Sequence, residues 1–235
     1  MMIMLEGVTK QYGTRKSLQD ISYTFEKGKV YGILGPNGSG KSTMMKMIAG
    51  LVYPTGGKIL VEGKPVSRKI AASLAFLSTE GMLYQNFKVE QMIHFFATQY
   101  PDFQREKAEE LLAFMELDRR QKVSRLSKGQ QGRLKLLLVL SRNTDILLLD
   151  EPFIGLDPMV RDMIVKGLVS FIDFGRQTVI ITTHEINEIE PVLEEALLLD
   201  NGRITAFCNV EEVREKDGLS VLEWLKTNVK KEAVL

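Results

Sequence analysis

The strongest pattern along the chain is a set of short apolar runs that end abruptly. "KVYGILG" stops at Gly35, "DILLLDEP" at the acids Asp150 and Glu151, and "QTVIITTHE" at His184. Runs of this length, rich in Val, Ile and Leu and without polar alternation, predict strands buried in a parallel sheet. Between them the apolar spacing becomes helical. "KSTMMKMIAGLV" ends near Gly50, residues 88 to 118 carry helical patterns broken at Pro101, and residues 158 to 174 form another helical segment. Residues 3 to 34 read as short strands separated by turns, and "GKILVEGKPV" reads as a hairpin.

Strands alternating with helices predict an α/β fold with a mostly parallel sheet. The helical stretch from about 85 to 140 interrupts that alternation as an inserted subdomain, and a second αβ portion starts near Ser127. No linker rich in Pro, Gly or Ser divides the chain, so residues 1–235 are expected to form one domain. The C-terminal "LEWLKTNVKKEAVL" predicts an amphipathic helix that packs on the domain through Leu222, Trp224 and Leu225.

Composition adds exclusions. A disordered chain would not be 44% hydrophobic, and 31 basic against 30 acidic residues give a net charge of +1, which offers no cationic footprint for nucleic acid or an anionic membrane. One cysteine, Cys208, precludes an internal disulfide framework and is expected to be a small buried apolar residue. His94, in "MIHFFATQY", is assigned to packing. The N-terminal "MMIMLEGVTKQYG" meets Glu6 and Lys10 too early for a signal-peptide core, and no run approaches the roughly 18 apolar residues of a membrane span.

The candidate chemistry sits where the apolar runs stop. Gly35-Pro36-Asn37-Gly38-Ser39-Gly40-Lys41-Ser42 fits G-x-x-x-x-G-K-[ST] between a strand and a helix. In that setting glycines let backbone N–H groups crowd around phosphates, the helix N-terminus adds its positive end, Lys41 reaches the β and γ phosphates, and the Ser42 hydroxyl serves Mg²⁺. Thr43 extends the same nucleotide-binding segment. Asp150 is expected beside Ser42 as a metal partner, and Glu151 as the acceptor that orients or deprotonates an attacking water. His184 is a candidate donor to the γ phosphate, and Tyr12 offers a π face to adenine.

In order, these pieces are joined by "LSKGQ" at Leu126 to Gln130 and "GLD" at Gly155 to Asp157. The combination resembles the ATP-binding subunits of ABC transporters over nearly the whole chain, with "LSKGQ" close to the family's LSGGQ and Lys128 in place of its first glycine. The resemblance implies a P-loop NTPase (RecA-like) core with an N-terminal antiparallel β subdomain and an inserted helical subdomain. It makes Glu151 the catalytic base and places Asp157 in a loop that communicates between two subunits. It also implies a glutamine in the loop entering the helical region; the hydrophobic frame aligns Thr79 there as a metal contact, with Glu80 beside it and Gln85 a poorer stand-in.

The resemblance further implies two subunits packed head to tail, as a homodimer or a heterodimer, each capping the other's ATP. Ser127 would supply a hydroxyl, Gly129 close backbone approach, and the helix beginning near Gln130 its N–H-rich end. The expected partner is a transmembrane permease, the expected place the cytoplasmic face of the membrane, and the expected cofactors ATP and Mg²⁺, with no nucleic acid. The lack of a large extension after about residue 210 and the stretch "TTHEINEIE" look more like exporter-paired cassettes. The alternatives are a soluble ABC-type ATPase of translation or DNA maintenance, and an ATP-dependent dimerisation module with weak hydrolysis.

Overall fold

The computed structural model describes residues 2–79, 81–183 and 186–232. The chain opens with β1 (Ile3–Tyr12) and β2 (Arg15–Phe25), an antiparallel pair, then β3 (Val30–Leu34), α1 (Lys41–Ile48), β4 (Gly56–Val61) and β5 (Lys64–Pro65). A short 3₁₀ turn at Arg68–Ala72 leads to β6 (Leu74–Leu77). Then come α2 (Val89–Gln99), α3 (Arg105–Phe114) and α4 (Lys128–Leu140), followed by β7 (Ile146–Asp150), α5 (Pro158–Phe171) and β8 (Thr178–Thr183). The chain continues through α6 (Ile186–Ile189), β9 (Glu195–Asp200), β10 (Arg203–Asn209), α7 (Val210–Glu212) and α8 (Val221–Glu232).

Two sheets organise these elements. β2-β1-β4-β5 is antiparallel, while the six-stranded sheet runs β10-β9-β3-β8-β7-β6, parallel throughout except for β10. Every residue of β3, β7 and β8 is buried, as expected for strands covered on both faces. Successive side chains alternate between two cores. Ile146 and Leu148 join α1 and the antiparallel sheet, whereas Leu147 and Leu149 join α4, α5 and the helices before them. The helices between β6 and β7 thus share one apolar cluster with a face of the large sheet.

The N-terminal region departs from the expected short strands: β1 and β2 are ten and eleven residues long. Register shifts between Leu5 and Val8 and again near Lys10, with Gly7 at φ 58°, interrupt the period-two pattern, so continuous strands read as several pieces. Two expected side-chain placements also fail. His94 on α2 is exposed, because Met92 and Ile93 take the inward face. Cys208 is half-buried on the edge strand β10, and desolvation pushes its thiol up to about 12. The C-terminal helix does pack on the domain: Val221 and Leu225 are buried in the larger core, with Leu222 and Trp224 against it.

Among the described residues, no helix is long and apolar enough to cross a membrane.

Candidate functional site

β3 pairs with β8 on one side and β9 on the other, and β8 continues to β7. The C-terminal ends of β3, β7 and β8 therefore meet at one edge, where doubly wound sheets place ligands. After β3, the loop from Gly35 to Gly40 turns back over the sheet. At Gly35, φ is 147° and a Cβ would lie 2.0 Å from the Leu199 carbonyl oxygen; at Gly40, φ is 113° and a Cβ would lie 2.6 Å from the Ser17 carbonyl oxygen. Both positions require glycine on conformational and steric grounds. Gly40 then caps α1 without a side chain, leaving the first-turn N–H groups available to an anion.

The loop's side chains are already organised. Lys41 is buried and donates to the carbonyl oxygens of Gly35 at 2.8 Å and Pro36 at 3.2 Å, and its Nζ lies 3.4 Å from Glu151 Oε1. Ser42 Oγ donates to Asp150 Oδ1 at 3.0 Å, which also accepts from Thr182 Oγ1 at 2.8 Å. Thr43 Oγ1 accepts from Ser17 Oγ at 2.9 Å, tying α1 to β2. Pro36, Asn37 and Gly38 lie on the outer turn, partly or fully exposed, and Ser39 is buried.

Asp150 is fully buried as the last residue of β7, paired in register with Thr182. Its second oxygen, Oδ2, and the Ser39 hydroxyl are buried without a hydrogen-bond partner among the described residues. Such atoms are costly unless a ligand completes them. A carboxylate oxygen and the Ser42 hydroxyl at the mouth of a phosphate loop are hard oxygen donors that suit Mg²⁺. Glu151 leaves the strand at φ 48°, its N–H held by Thr182 Oγ1 at 3.0 Å. This sparsely populated geometry turns its carboxylate toward Lys41.

Other sequence candidates lie around this edge. Tyr12 ends β1 with its ring half exposed, and Lys10 Nζ stands 4.9 Å from the ring centroid. Ser127 caps α4 in a reciprocal box: its Oγ accepts from Gln130 N at 3.1 Å while Gln130 Oε1 accepts from Ser127 N at 2.9 Å. The helix starts at Lys128, directly after this cap and two residues before Gln130. Lys128 is exposed, and Gly129 lies against α5, where a Cβ would come 3.1 Å from Val160 Cγ2. Asp157 caps α5, its Oδ1 accepting from Val160 N at 3.1 Å.

Thr79 is not drawn into the Ser42–Asp150 pair by any hydrogen bond among the described residues; its carbonyl oxygen accepts from Lys135 Nζ at 2.9 Å. Gln85 is exposed, its carbonyl oxygen bound by Ser124 N at 3.1 Å. His184 and Glu80 lie outside the described residues. Two neighbours had not been anticipated. Thr182 braces both acids, and Arg15, opposite Tyr12 in the hairpin, brings Nη2 to 3.2 Å from where a Gly38 Cβ would be. The tight "YGTR" turn was the available signal for the second.

Residues 18–154 match the family model described as ABC transporter. The Nod factor export ATP-binding protein I of Rhizobium sp. (strain N33) is 34% identical over 94% of this chain and 75% of its own length. The sulfate/thiosulfate import ATP-binding protein CysA of Synechocystis sp. (strain ATCC 27184 / PCC 6803 / Kazusa) is also 34% identical, over 92% of this chain and 62% of its own length. Relatives named for export and for import are thus equally similar. Among solved structures, the dimeric bacterial ABC transporter cassette MJ0796 superposes with TM-score 0.78 at 27% identity, covering 88% of this chain and 98% of that one. Its post-hydrolysis state with ADP and Pi superposes with the same TM-score at 25% identity, over the same shares of the two chains. Phosphate loop, acidic strand end and helix-capping signature segment thus occur together in a chain that belongs to the ABC transporter family, as an ATP-binding, ATP-hydrolysing cassette.

Proposed function

We propose that this cassette binds ATP with Mg²⁺ between Ser42 and Asp150, closes on a second ATP-binding subunit, and drives a separate transmembrane permease from the cytoplasmic face of the membrane. The observation that carries this reading is the 3.0 Å contact joining Ser42 to Asp150, with a second buried Asp150 oxygen left for a ligand. The first-turn N–H groups of α1 and Lys41 hold the phosphates, while Tyr12 stacks on the base. A metal at Ser42 and Asp150 would neutralise charge on the β and γ phosphates. Glu151, placed beside Lys41, accepts the proton of the attacking water once Lys41 turns to the phosphates.

The signature segment supports closure in trans. Ser127 Oγ accepts from Gln130 N and keeps its own O–H to donate, and the Lys128 and Gly129 N–H groups lie in the first turn of α4 beside that cap bond. These donors face a phosphate on the opposing subunit. A cavity of about 650 Å³ between the end of α1, β6 and α2, with Leu51 and Tyr84 more than half exposed on its rim, offers the permease an apolar seat.

Lys41→Ala removes the buried cation of the phosphate loop. ATP affinity measured by calorimetric titration should fall by roughly 10²-fold, the order expected when one charged contact of a desolvated site is deleted. An affinity within twofold of the parent protein would refute this placement of the nucleotide.

A further inference from the structure

We propose that Arg15 is a further nucleotide-binding residue, whose guanidinium contacts the phosphates of the ATP seated on its own subunit's loop. The inference rests on the nucleotide site proposed above and extends it to a residue outside every motif that defines that site.

Three observations carry it. Tyr12 and Arg15 face each other in the β1–β2 register, so their side chains project from the same face of the hairpin. The residue proposed for adenine and the cation are therefore delivered together. Next, Arg15 Nη2 lies 3.2 Å from where a Cβ on Gly38 would sit, and Gly38, at φ 83°, belongs to the phosphate loop itself. The side chain thus lies against the loop although the residue is exposed. Last, among the described residues the guanidinium has no ion pair and no hydrogen bond, so all five donors remain available.

The charge inventory points the same way. Around the loop, Lys41 contacts the acidic pair and is engaged by Glu151. Asp150 and Glu151 outweigh it, and a triphosphate adds about four negative charges before any metal is counted. A second cation at the loop's outer turn offsets this excess where Lys41 cannot reach. Arginine's planar fork grips two phosphate oxygens at once, which a lysine ammonium does only as a point charge.

Titrations of the full-length chain with ATP and ADP, run at protein concentrations that keep it monomeric, test the assignment with Arg15→Ala and Arg15→Lys beside Lys41→Ala. Arg15→Ala should weaken ATP by about five- to tenfold, Arg15→Lys should recover part of the loss, and raising salt should shrink the gap, because the contact is solvent-accessible. Unchanged ATP affinity in Arg15→Ala overturns the proposal, including the case in which that variant fails to dimerise and the residue serves the opposing subunit instead. Equal losses in the Ala and Lys variants at every salt concentration also overturn it, by showing that the residue shapes the hairpin. The underlying nucleotide site is judged separately: it fails if Lys41→Ala binds like the parent, whatever Arg15 does.

Discussion

Asp150 and Glu151 are neighbours in sequence yet face different tasks, because the strand ends between them. Asp150 keeps its ladder position opposite Thr182, and Glu151 turns out at positive φ. Thr182 makes both placements possible, since its one hydroxyl donates to Asp150 Oδ1 and accepts from Glu151 N. Thr182→Val keeps the shape and deletes the hydroxyl, leaving buried Asp150 Oδ1 with Ser42 Oγ as its remaining donor and Glu151 N with the residue-182 carbonyl oxygen alone. Stability should fall by about 1–3 kcal/mol, seen as a lower urea midpoint with an unchanged slope; an unaltered midpoint would remove Thr182 from this role. This scale was unevenly legible in the sequence. The loop from Gly35 to Ser42 and the acidic pair announced themselves because phosphate chemistry dictates residue type and spacing. Thr182 did not, since a threonine in a β-branched run looks like strand filler. His94 was misplaced because one polar residue in an apolar stretch does not reveal which side of its element it takes, and Cys208 because it packs against the core from an edge strand that covers it only in part.

α4 shows how one element serves the sheet and the site together. Its second half buries Leu134 and Leu136 through Leu140, while its first turn stays at the surface with Ser127 as cap. In between, Lys135 donates to the carbonyl oxygens of Ser78 and Thr79, and desolvation lowers its pKa. At the C-terminal end Arg142, almost fully buried, clamps three segments: Nε bonds both Asp102 oxygens at 2.8 Å, Nη2 donates to the Ala71 carbonyl oxygen at 2.9 Å, and the guanidinium lies 3.8 Å from the Tyr100 ring centroid. Arg142→Met removes the charge at similar length and strands Asp102, which is partly exposed. The expected loss is about 2–4 kcal/mol, below the full cost of breaking a buried pair because water reaches the acid. A double-mutant cycle with Asp102→Asn measures it, and a coupling near zero would deny the clamp. The three buried strands and the helix periods were readable from apolar spacing alone. The clamp was not, because its partners lie far apart in sequence and the sequence carries no sign of their meeting at the α2–α3 corner.

At the scale of the molecule, the phosphate loop and the signature segment sit on different parts of one chain, and among the described residues no hydrogen bond joins α4's first turn to its own phosphate loop. That division makes sense if each nucleotide is completed by a second subunit. ATP binding to the folded chain alone stabilises it by mass action, by about 2.7 kcal/mol at a ligand concentration one hundred times Kd, which is a rise in Tm of about 5–10 °C for a domain of this size. Closure then adds a concentration-dependent term, since association depends on protein as well as ligand. Glu151→Gln separates the two steps, because it keeps the nucleotide contacts while slowing proton removal from water by roughly 10²-fold or more. In that background ATP should hold a dimer long enough for light scattering to record twice the mass of the monomer. Adding Ser127→Arg inserts a bulky cation where the opposing subunit must approach, so the dimer should vanish while the ligand-dependent Tm shift at low protein concentration survives. A double variant that still dimerises with ATP would show that α4's first turn lies away from the opposing nucleotide, and that closure uses another face of the molecule.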